Sequence, residues 1–301
     1  MVKYFCVAIF GLFLITSFAF EAEKKSVTVV IPFAAGGGVD ITFRNLQKYA
    51  ATKKIELVPL YRPGAEGTIA IRELINAPKD GLTLSINTAG SLGYYAIENP
   101  MSKVEIITGI IGGNSVFVTH SNSKFKTISD LEGAIKIGKD LNIGIAHAGQ
   151  RIAFEQLAEI MGVKQIITMI PYKGAAQAIQ DLSAENIDVL FIPFTVAKPM
   201  LDAGKFRLLA FSQIKLLEYP NVPTLTQRHS VWKDTEMHIV YLPAGTDLET
   251  VKFWNSFFKD YLNNADVKEA FEKNYSFTVP FNKSLAQEVI KQNRDRLINY
   301  K

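Results

Sequence analysis

Cysteine occurs once in 301 residues, and that one, Cys6, lies inside an apolar N-terminal run, MVKYFCVAIFGLFLITSFAF. The run follows Lys3 and closes on Ser17-Phe18-Ala19, with small residues at the two positions that matter for cleavage. Residues 1–19 are therefore expected to be a secretory signal peptide, with an uncleaved anchor as the alternative. Beyond them there is no cysteine, which excludes disulfides, thiolate metal ligands and a cysteine nucleophile. No later apolar run is long enough to span a bilayer. The excess of basic over acidic residues is also small. The net charge of +4, about +3 without Lys3, is too small to argue for nucleic acid or an anionic membrane as partner. The four histidines (His120, His147, His229, His238) show no metal-ligand spacing with carboxylates, so no metal is expected. Gly36 and Gly38 begin a dinucleotide-like pattern, but Ile41 stands where G-x-G-x-x-G needs its third glycine. There is no G-x-x-x-x-G-K-[ST] either, and no cofactor is expected.

Apolar residues are plentiful, at 48%. An exported chain of about 280 residues without disulfides must be held by a full-sized core, here split over two domains. Strand-length apolar runs alternate with helical stripes from Val27 to Phe211, a βαβα rhythm that argues for parallel sheets covered by helices on both faces. The stretch YPNVPTLTQRHSVWKDTE then turns irregular, followed by one strand and two or three helices. A chain crossing back to its first domain fits that order. The expected division is 20–121 with 228–301 for the first domain and 122–227 for the second.

The stretch PFAAGGGVDITFR carries the sharpest chemistry. A strand ends in three glycines, and Asp40 is placed to cap a helix whose inner face is Phe43, Leu46, Tyr49 and Ala50. A strand, a glycine turn and a helix N-terminus form a seat for an anion. An ordinary tight strand-to-helix turn would look the same.

These residues also spell a family. PFAAGGGVDITFR resembles the first signature of the tripartite tricarboxylate transporter substrate-binding proteins, the Bug-type periplasmic receptors. RPGAEG with PKDGLTLSI, IGIAHAGQ, IPYKGAAQAIQDLSAENIDVLF, LDAGKFRLLAFS with YPNVPTL, and PAGT follow in the family's order. The resemblance implies an α/β, two-lobed periplasmic binding protein of the type II, Venus-flytrap kind, hinged around an interlobe cleft. It implies capture of a small organic acid, a carboxylate, and its delivery to the membrane permease subunits of such a transporter. A periplasmic location and a monomer go with it.

By that resemblance, Phe33, Ala35 and the Gly36-Gly37-Gly38 turn hold the ligand carboxylate through backbone amides, and Asp40 caps the helix beside them. Asn87-Thr88-Ala89-Gly90-Ser91 would form a second wall, offering an amide and hydroxyls as donors. The other lobe would contribute Ala148-Gly149-Gln150, Lys173-Gly174-Ala175, Asp188 and Thr195. Lys173 either faces the ligand's charge or is a solvated turn lysine. Asp188 either holds a ligand amino group or satisfies neighbouring amides. His147 falls in a binding turn, and its plainer role is that of a loop histidine. Departures from the family pattern cluster in or near these turns: Ala34, Tyr61, Glu66, Ile145, His147, Gln150 and Asp247.

Two rival functions stand beside the transport receptor. Ala89-Gly90-Ser91-Leu92-Gly93 is an A-x-S-x-G version of a nucleophile elbow, with His229 or His238 downstream, as a serine hydrolase needs. A sensor subunit presenting the same ligand to a signalling kinase would use the same closed lobes.

Overall fold

The structure is a computed structural model and describes residues 25–138, 140–163, 168–233 and 236–299. The expected signal peptide lies outside the described residues. Four strands open the chain: β1 (Lys25–Ile31), β2 (Ile55–Tyr61), β3 (Thr83–Thr88) and β4 (Val104–Gly112). The chain then leaves for a second sheet of β5 (Ser115–His120), β6 (Asn142–Ile145), β7 (Thr168–Pro171), β8 (Val189–Pro193) and β9 (Phe206–Phe211). It returns through β10 (Met237–Pro243) and β11 (Phe277–Thr278). Among the described residues the strand orders are β11-β4-β10-β3-β1-β2 and β7-β6-β8-β5-β9.

The expected boundaries differ from this path. Val116–Thr119, assigned to the first domain, is part of β5 and pairs with β8 and β9, so the chain changes sheets between Gly112 and Ser115. Trp232, placed after the second boundary, packs in the second lobe against Phe117 and Phe191, so the return falls after it. Both sheets are mixed, not parallel. β10 runs antiparallel to β3 and β4, and β5 antiparallel to β8 and β9. A strand that arrives from the other lobe enters its new sheet from the opposite end, which inverts its direction.

Alternation along each strand sorts side chains to two faces. On β10, Val240 and Leu242 join the core under α1 (Gly38–Thr52), while Ile239 and Tyr241 join the one under α2 (Thr68–Ile75) and α3 (Ala89–Tyr95). The second sheet repeats this. Phe117, Val189 and Phe191 pack under α4 (Ile128–Lys136) and α5 (Ala148–Ile160). Val116, Val118, Leu190 and Ile192 pack with α6 (Ala175–Ser183) and α7 (Phe194–Asp202). Past the short α8 (Leu225–Arg228), α9 (Leu248–Asn263) adds Trp254, Phe257, Phe258 and Tyr261 to the first-lobe core. α10 (Ala265–Lys273) and α11 (Lys283–Asn299) complete that lobe. Each such fully buried aliphatic or aromatic side chain contributes about 1.5–3 kcal/mol, so covalent staples are unnecessary. No helix among the described residues is long and apolar enough to cross a membrane.

Candidate functional site

The C-terminal ends of β1, β2 and β3 face those of β6 and β8 across a seam between the lobes. This is where ligands sit in open α/β sheets. α1 starts earlier than expected, at Gly38, with Gly37 as its N-cap and no side-chain cap bond. Asp40 is therefore inside the first turn and is not the N-cap. Its buried carboxylate reaches back instead. Gly36 N–H donates to Oδ2 (2.9 Å), and the Tyr61 hydroxyl (2.7 Å) and Arg44 Nε (3.3 Å) donate to Oδ1. Burial, and then the Asp40 carboxylate, raise the Tyr61 phenol above its usual range. The clamp takes the Gly36 amide and holds the turn in shape. The amides of Gly37 and Gly38 donate to no protein group in the hydrogen bonds of the described residues. Two backbone donors thus remain at a helix N-terminus, where the dipole favours an anion.

Several contacts close the seam here. Phe33 stacks on His147 of the second lobe, ring centroids 5.4 Å apart. Ala34 N–H donates to the Lys173 carbonyl (3.4 Å). A Cβ on Gly38 would come within 3.1 Å of Pro193 at the end of β8. One on Gly90 would lie 2.4 Å from the nitrogen of Gly149 and 2.6 Å from its Cα, so the starts of α3 and α5 meet backbone to backbone. The expected two walls are thus brought together. Ala35 lies exposed beside the glycine turn, and Gly174 is buried, leading into Ala175 at the start of α6. Thr195 stands in the first turn of α7.

Side chains expected to offer donors are committed elsewhere. The Asn87 amide donates to the Gly67 carbonyl (3.2 Å) and the Tyr241 hydroxyl (3.4 Å), and its oxygen accepts from Thr88 N–H (2.9 Å). The Thr88 hydroxyl caps α3, accepting from Ser91 N–H (3.1 Å) and donating to Ser91 Oγ (3.0 Å). Gln150 is buried, and its oxygen accepts from Ala146 N–H within its own turn. These residues shape the walls by tying their turns. Lys173 is exposed, and its backbone carbonyl is the group that meets the first lobe.

Asp188 is not brought to the seam. It precedes β8, where Oδ2 accepts from Asn142 N–H (2.9 Å). Five strand steps, about 16 Å, separate it from Pro193 at the seam end. Its role is the satisfaction of a neighbouring amide.

Two buried histidines lie in the seam. His147 caps α5 through Nδ1, which accepts from Gly149 N–H (3.2 Å). Burial, and then nearby His238, push it down to about 3. His238 Nδ1 is 2.8 Å from the Thr42 hydroxyl, and Nε2 is 3.8 Å from Glu236 Oε1. Burial pushes this ring down to about 4. Both are neutral at pH 7. Sequence reasoning singled out His147, named His238 only as a possible hydrolase partner, and missed Thr42, Pro193 and Glu236, which come together only across the folded chain. It also missed Arg151, whose Nη2 donates to Glu66 Oε1 across the seam (2.8 Å).

The elbow arrangement does not assemble. Ser91 Oγ is bonded to Thr88, His238 to Thr42, and His229 sits 2.7 Å from buried Glu132 in the other lobe.

The model of the tripartite tricarboxylate transporter family receptor matches residues 43–299. Protein BugT of Bordetella pertussis is 24% identical over 283 residues, covering 88% of this chain and 86% of that protein. A Rhodopseudomonas palustris protein solved with adipate superposes with a TM-score of 0.82 at 21% identity, covering 93% of this chain and 97% of the other. MatC of the same organism, solved with bound malate, gives 0.79 at 22% identity over 91% and 99%. The last two likenesses establish a shared two-lobed binding-protein fold.

Proposed function

The chain belongs to the tripartite tricarboxylate transporter family of receptors, and from that membership we propose that it is a periplasmic receptor for a small carboxylate. The ligand is held between the lobes and handed to the membrane subunits of such a transporter. One observation carries the site: the uncommitted amides of Gly37 and Gly38 at the start of α1, facing a seam that the second lobe closes. Backbone donors suit a receptor because they bind an anion without introducing a titrating group. Phe33, Ala35, Gly36 and Asp40 support this turn. Gly90, Gly149, Gly174 and their neighbours form the opposing walls. Adipate and malate in two proteins of the same fold support a carboxylate as the ligand class.

The test is a thermal-shift screen of residues 20–301, refolded to strip carried-over ligand, against carboxylates and their neutral amides. A ligand at a hundred times its Kd adds about 2.7 kcal/mol of stability, an easily visible shift. Stabilisation by acids but not by amides supports the reading. Stabilisation by neutral or cationic compounds alone overturns it.

A further inference from the structure

We propose that the Glu66–Arg151 ion pair makes the cleft selective for ligands carrying a single carboxylate, a step that rests on the receptor reading above. Glu66 stands in a turn of four consecutive positive-φ residues, Gly64 to Gly67, directly after β2. Arg151 lies in the first turn of α5, two residues past the Gly149 that meets Gly90. The pair therefore links the turn after β2 to the start of α5, which also carries Gly149. Gly67, next to Glu66, is itself tied to Asn87 of the β3 turn.

The charges around the seam decide the ligand's charge. Arg151 is the cation that a second ligand carboxylate would need, and Glu66 already neutralises it at 2.8 Å. Among the described residues, the remaining buried Glu66 oxygen, Oε2, has no hydrogen-bond partner, nor has Arg151 Nε. A carboxylate brought here would find the guanidinium already taken and the Glu66 carboxylate beside it. Among the other basic side chains near the glycine turn, Arg44 is paired with Asp40 and Lys173 is exposed. The two seam histidines are neutral. That leaves one anion seat, made of backbone amides, and opposite it an ion pair that is neutral as a unit, with the Glu236 carboxylate beside Gly149 adding a negative charge to the same wall.

The experiment is calorimetric titration of the refolded chain with two chain-matched pairs, hexanoate against adipate and lactate against malate. Wild type is expected to bind the monoacid of the better-binding pair at least tenfold tighter than its diacid. Glu66→Gln exposes the Arg151 charge and moves the ratio at least tenfold toward the diacid. The double variant Glu66→Gln/Arg151→Gln restores zero charge and with it the wild-type preference, which separates charge from loss of a structural contact. Lys268→Ala, at an exposed lysine on α10, removes one positive charge away from the seam and leaves the ratio unchanged. A diacid bound as tightly by wild type as its monoacid, or a ratio unmoved by Glu66→Gln, overturns the inference and leaves the receptor reading standing. Failure of all four acids and of every other carboxylate to bind overturns the receptor reading, and this inference with it.

Discussion

Gly90→Ala probes lobe closure at its tightest point. The added Cβ would sit 2.4 Å from Gly149 N, while ordinary contact begins at 3.4 Å. The obstacle is backbone on both sides and cannot swing away as a side-chain tip would, so the two turns must part by about 1 Å. Overpacking of this kind costs about 1–3 kcal/mol. In Kd that is about five- to 150-fold. The penalty falls on the closed form alone, because the two turns belong to different lobes. The melting temperature of the unliganded chain should therefore stay level or rise slightly, since alanine is the better helix residue in α3. Calorimetric affinity for a ligand found by the thermal screen, read beside the unliganded melting curve, separates the two effects. Gly133→Ala is the control: it sits in α4 with nothing within 4 Å of the new Cβ. It should stabilise the chain by roughly 0.5–1 kcal/mol and leave affinity unchanged. An unaltered Kd in Gly90→Ala would refute the closure argument. A drop in unliganded stability by the whole penalty would show that the contact belongs to the fold and not to closure.

Ala34→Pro deletes the long Ala34–Lys173 hydrogen bond between the lobes. Losing it should cost about 0.5 kcal/mol, a two- to threefold weaker Kd, with unliganded stability unchanged. Tyr61→Phe leaves the buried Asp40 carboxylate without its phenol donor and should lower chemical-denaturation stability by about 1–3 kcal/mol; a change below 0.5 kcal/mol would refute the clamp. His147 and His238 titrate near 3 and 4 in the folded chain, below the ordinary 6.5, so the unfolded chain takes up protons first. Their stabilisation is complete above pH 6.5 and falls as pH drops toward 4, by at most about 1.4 kcal/mol per unit for each ring. Urea unfolding at pH 7.5 and 5.5 should show this slope, and His147→Phe should reduce it; an identical slope in the variant would count against a buried neutral ring.

Much of the architecture is legible before folding. Strand and helix existence follows from apolar period, and the α/β class follows from their alternation. The strand–glycine–helix turn at Gly36–Gly38 was readable because every part of it is local. Asp40 shows where local reasoning stops. An aspartate before a helical stripe looks like an N-cap, yet the helix starts at Gly38, and the carboxylate turns to Gly36 and to Tyr61 on the next strand. Which of these partners it takes depends on where β2 runs beside β1.

What the sequence by itself determined is the set of elements, their order and the chemistry of each turn, because those depend on neighbours a few residues away. Only the tertiary structure decided which sheet an apolar strand joins and which end of it reaches the cleft. β4 and β5 are both apolar and adjacent in sequence, yet they lie in different lobes. Asp188 sits at the far end of β8, while Pro193 sits at the seam. The Glu66–Arg151 pair joins residues 85 positions apart. Neither partner's composition or spacing announces the other, since long-range pairing is set by how two sheets pack and close, a property of no single segment.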